Sequence, residues 1–264
     1  MNNEFENKLF KKMLLNMSLI VFAIFSLYSI LLTTLYVKSQ TDIAFMIPVF
    51  IDLIPYVTDL CEIVGMLIAY SFIIYAIKRY TKKQVISFII AFAVLTLYKY
   101  VAKFTTTYII NGAIPTVKTL FEDIIWSFAL PIALELAQLL IIVIIAWKII
   151  QNALNFIKQQ NSLKENLPNY KFDENKVFLP FTKIWNMQNP FQKSAFWCGF
   201  VIMASKVIQL LIIDIQVGLP TDLTDFLWII TAYSLCVLLG FASYLFTIWM
   251  LIKLNMSEIK LQYK

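Results

Sequence analysis

The run IIWSFALPIALELAQLLIIVIIAWKII, Ile124 to Ile150, decides the fold class. As a helix it is long enough to cross a hydrocarbon layer of about 30 Å, at about 1.5 Å per residue. It holds one carboxylate, Glu135, near its middle. A charge there costs about 2.5 to 3.5 kcal/mol by insertion scales, so Glu135 needs a partner or a purpose.

The rest of the chain agrees with a membrane setting. Of its 264 residues, 60% are apolar and 14% charged, and the mean hydropathy is +0.76, which excludes an ordinary soluble domain. The formal charge is +6, but the Lys and Arg residues stand in short segments beside hydrophobic runs rather than in one stripe, so no nucleic-acid partner is expected. There is no histidine, and Cys61, Cys198 and Cys236 are far apart. No metal, haem or iron-sulfur cofactor and no disulfide framework is therefore expected.

Hydrophobic run lengths predict an all-α polytopic membrane helix bundle, one integral domain over residues 1–264. Its six spans lie at about residues 14–37, 60–77, 84–104, 124–148, 194–216 and 226–254. The first follows Lys8, Lys11 and Lys12 and is too long for the core of a signal peptide, so it reads as an uncleaved span. Residues 41–59, broken by Pro48 and Pro55, read as a segment in the outer interface. Residues 151–193 are the main polar segment, a cytoplasmic basic and aromatic loop. Within it Phe178, Phe181, Lys183, Trp185 and Phe191 fit a surface lying on anionic lipid.

With the N-terminus inside, the inner segments hold 17 of the 22 Lys and Arg residues, and the outer loops hold Lys38 and Lys118. The positive-inside rule thus places both termini in the cytoplasm of a plasma-membrane protein. Three outer loops also end alike: IPYVTDLCEIV from Ile54, IPTVKTLFEDII from Ile114 and LPTDLTDFLWII from Leu219. In each, a proline precedes a capping residue type by four positions: Pro55 and Asp59, Pro115 and Thr119, Pro220 and Thr224. Asp59 with Glu62, and Thr119 with Glu122, have capping-box spacing. Two readings stand: three duplicated helical hairpins, or turn chemistry that any outer loop requires.

The chemistry within the spans is sparse. Glu135 shares a helical stripe with Ser127, Pro131 and Gln138; in span five, Lys206 shares a face with Gln209. Counted along their spans, Glu135 and Lys206 both lie roughly 16 to 18 Å deep, so Lys206 is the expected counter-charge. Glu135, Lys206, Gln138 and Gln209 form either a midplane polar site for an ion or small polar solute, or a structural ion pair that fixes helix register. A partner's helix supplying the counter-charge is a further reading. Lys99 and Lys103, one turn apart in span three, read as lysines reaching the outer headgroups, with a cationic wall or pairing to Asp214 as the alternative.

No catalytic residues are expected. Without histidine there is no His-dependent triad or zinc protease motif, and five glycines cannot build a phosphate cradle. Ser205 beside Lys206 is a weak dyad, since adjacent residues point to different faces of a helix. Two functions from different classes remain. One is a permease or permease subunit with a midplane site. The other is a non-transporting sensor, immunity or assembly subunit acting through residues 151–193. The expected partners are the lipid bilayer and a second membrane protein or another copy of the chain.

Overall fold

A computed structural model describes residues 3–40, 48–111, 129–166, 172–173, 175–178, 188–217 and 223–262. The described elements are all helical: α1 (Asn3–Gln40), α2 (Pro48–Arg79), α3 (Lys82–Asn111), α4 (Leu130–Asn166), α5 (Asn175–Phe178), α6 (Pro190–Val217) and α7 (Leu223–Gln262). All but the short α5 contain a stretch long and apolar enough to cross a membrane, six in total, as a multi-pass membrane protein requires. The chain divides into two compact units. The first comprises Met1–Ala69 and Tyr80–Ala137; the second comprises Tyr70–Arg79 and Gln138–Lys264.

Helix ends depart from the sequence expectations where polar residues are good helix formers. α4 does not stop near Lys148 but runs to Asn166, so the first part of the polar segment 151–193 is helix rather than loop. That stretch, QNALNFIKQQNSLKEN, contains neither Gly nor Pro, and its Ala, Leu, Gln, Lys and Glu residues carry the helix onward. α2 likewise begins at Pro48 and continues through Pro55, whereas residues 41–59 had read as an interfacial break. Proline suits the first helical turn, and one missing donor at Pro55 costs less than exposing a whole turn of backbone to lipid. Asp59 is therefore interior to α2 and cannot cap its start. The second copy of the proposed repeat, at Pro115, Thr119 and Glu122, and Pro220 of the third lie outside the described residues; Thr224 of the third is the second residue of α7 rather than the residue before it.

In the first unit the start of α3 is closed by the Gln84 side chain, which reaches back to Thr81. The Thr81 backbone N–H and hydroxyl both donate to Gln84 Oε1, at 3.1 and 3.0 Å, and the Val85 N–H donates to the Thr81 carbonyl at 3.0 Å. Next to it, Phe10 of α1 lies edge-on to Tyr80 and Phe88, and the Tyr80 hydroxyl reaches Met13 Sδ at 3.1 Å. α1 packs along α3, with Ser26 Oγ 3.2 Å from the Tyr98 hydroxyl. Phe25 of α1 rests against Gly65 of α2, where an added Cβ would stand 2.5 Å from the ring.

In the second unit α6 and α7 cross at Gly199 and Gly240, a small-residue contact of the kind that lets membrane helices approach closely. The start of α6 is capped by Asn189, whose Oδ1 accepts the N–H groups of Phe191 and Gln192 at 2.9 and 3.2 Å, with Pro190 in the first helical position.

Candidate charge site in the first unit

Burial sorts the residues of α3 into two stripes. Val85, Phe88, Phe92, Thr96 and Lys99 are buried at spacings of three and four, while Ile86, Ile90, Val94, Leu97 and Val101 are exposed on the other side. Lys99 thus ends the inward stripe rather than reaching for headgroups. Its ammonium is wholly buried and lies 2.8 Å from Glu62 Oε1 of α2 and 2.9 Å from both carboxylate oxygens of Glu135 on α4. The Glu135 side chain is 5% exposed and that of Glu62 23%.

Two rings complete the ammonium's surroundings, Tyr100 at 4.4 Å and Phe25 at 5.3 Å from Nζ to ring centre. Four helices therefore converge here: Phe25 from α1, Glu62 from α2, Lys99 and Tyr100 from α3, and Glu135 from α4. Thr96, one turn before Lys99 on the same stripe, has a buried hydroxyl without a hydrogen-bond partner. Threonine in a membrane helix usually satisfies its hydroxyl on the preceding turn, which this one does not.

The cation on Glu135 is Lys99, which corrects the expectation that Lys206 fills that role. Depth counted along assumed spans made Lys206 level with Glu135, but level charges meet only if their faces and neighbours also match. Lys206 belongs to α6 in the second unit, where it is half-buried and has no ion pair among the described residues; Gln209 beside it is exposed. Gln138 is half-buried on α4, and Lys103 half-buried one turn beyond Lys99. Asp214 falls within α6, but its side chain lies outside the described residues. Ser205 donates its hydroxyl to the Ile202 carbonyl at 3.0 Å.

Glu62 was missed, having read as a capping-box residue, and so were Tyr100 and Phe25. A signal for Glu62 was present: the α2–α3 connection is only Tyr80 and Thr81, and Glu62 and Lys99 stand equally far from it on either side. Helices folded back on so short a turn bring such positions level.

The aromatic loop is corrected in part. Phe178 and Phe191 are buried in the second unit, their ring centres 4.9 Å apart, and do not lie on a lipid surface. Lys78 sits over both rings, at 4.8 and 5.8 Å, while donating to Asn255 Oδ1 at 2.6 Å. Phe181, Lys183 and Trp185 lie outside the described residues. Compared with known protein families, curated proteins and solved structures, the chain matches none.

Proposed function

We propose that this chain is a permease-like protein, or a permease subunit, of the plasma membrane, with both termini cytoplasmic and no catalytic turnover. Its working site is the Lys99 ammonium shared between Glu62 and Glu135, handling a proton or a small polar solute. The observation that carries this reading is the sharing itself. One fully buried ammonium is bonded to carboxylates of two other helices, and of these Glu62 keeps access that Glu135 lacks. Protonating Glu62, or binding a cation there, releases Lys99 to Glu135 alone and loosens α2 from α3. A charge exchange at the site thereby becomes a change in helix contacts. Lys99 is nearer the Asn111 end of α3 than the Lys82 end, so in the proposed orientation the site lies toward the outer leaflet rather than at the midplane.

The test is flux in proteoliposomes holding the purified chain, read with an internal pH dye against a panel of cations, amino acids and small organic acids. The wild type moves protons with one class of solute. Glu135→Gln and Glu62→Gln abolish that movement while helix content stays unchanged. A wild type no more permeable than empty vesicles across the panel overturns the permease reading.

A second reading draws on the near-complete burial of Lys99 and Glu135: the cluster is a lock that fixes helix register, and the chain is a non-transporting subunit of a membrane complex. Under it, flux is absent from the wild type, and a stoichiometric partner co-purifies at native expression.

A further inference from the structure

The second unit holds an open groove of about 970 Å³ formed where α4 leaves its apolar stretch and α6 enters one. On α4 the lining passes from Ile145 through Lys148 and Ile149 to Asn152, one face of the helix at spacings of three and four. On α6 it passes from Lys193 to Trp197, one turn further into the apolar stretch. Each helix therefore gives the groove a lysine at its polar end and an apolar side chain on the membrane side. No acidic residue lines it, and neither Lys148 nor Lys193, both exposed, has an ion pair among the described residues.

From this arrangement we infer a binding site for one anionic phospholipid, with the headgroup phosphate between Lys148 and Lys193 and the start of an acyl chain along Ile145, Ile149 and Trp197. Two cations without counter-ions among the described residues draw a phosphate, and a lysine pair at the end of a span lies at the depth where a headgroup resides. Tryptophan at that level prefers the headgroup boundary. Inorganic phosphate meets the same lysines but leaves the isoleucine and tryptophan wall unused, and this distinction selects a lipid over a soluble anion. The inference needs only the membrane setting of α4 and α6 and is independent of the role proposed for Lys99.

Native mass spectrometry of the full chain in mild detergent, supplied with equal parts phosphatidylglycerol and phosphatidylcholine, tests the site. The wild type retains phosphatidylglycerol preferentially. Lys148→Gln with Lys193→Gln lowers that preference roughly 10- to 30-fold, the effect of two lysines at a membrane surface. Lys158→Gln with Lys164→Gln, exposed positions further along α4 and outside the groove, leaves it unchanged. The inference is overturned by no headgroup preference in the wild type, by an equal loss in the control pair, or by displacement of the lipid by inorganic phosphate. Circular dichroism of both double variants establishes that their helices are intact.

Discussion

Glu62 and Lys99 face each other at 2.8 Å across the α2–α3 hairpin, each the same number of residues from its tight turn. The same ammonium reaches Glu135 on α4 and so ties three helices together at one atom. Buried, desolvated contacts of this kind are asymmetric in energy. Making one contributes little over an apolar substitute, whereas removing one partner strands a charge.

Lys99→Met should therefore destabilise the purified chain by about 3–5 kcal/mol, measured by denaturant unfolding in mild detergent, because it leaves Glu135 buried without its cation. Adding Glu135→Leu should restore more than half of that loss. Unfolding of Lys99→Met at the wild-type midpoint would show that the cluster contributes nothing to stability.

Gly65→Ala should cost about 1–3 kcal/mol, because its methyl group would occupy space held by the buried Phe25 ring. The ring also lies against the Lys99 ammonium and cannot shift without disturbing it. Phe25→Leu in the Gly65→Ala background should recover stability in a thermal melt. A further loss in the double variant would contradict a steric cause.

The α6–α7 crossing gives a ranked expectation. A methyl group on Gly199 meets the Gly240 backbone carbonyl, whereas one on Gly240 meets first the Met203 side chain. Gly199→Ala should be the more damaging change, at the upper end of about 1–3 kcal/mol. Met203→Gly, which removes the Cβ that a methyl group on Gly240 meets, should relieve Gly240→Ala more than Gly199→Ala. The four melting temperatures together decide it.

Asn189→Ala removes the acceptor for two backbone donors at the start of α6 and should cost about 1 kcal/mol, while Asn189→Asp should cost much less. Amide hydrogen exchange in Phe191 and Gln192 reports this directly. Exchange should quicken in the alanine variant and stay near wild type in the aspartate one.

The sequence by itself determined that the chain is helical and that six of its helices have membrane length, because the length of an apolar run is a local property. It also marked Glu135 as a charge in need of an answer. Only the tertiary structure decided what answers it, since the pattern of one membrane helix can mark a polar face but does not say which neighbouring helix that face meets. In α3 the exposed stripe from Ile86 to Val101 is wholly aliphatic and the buried stripe carries Thr96 and Lys99, which marks the inward face without naming what it meets. Choosing between Lys99 and Lys206 for Glu135 required the packing of α1 and α2 around Lys99. Glu62 went unread for a related reason: its role depends on α2 starting at Pro48, so that a residue with the spacing of a cap lies inside the helix and faces the lysine.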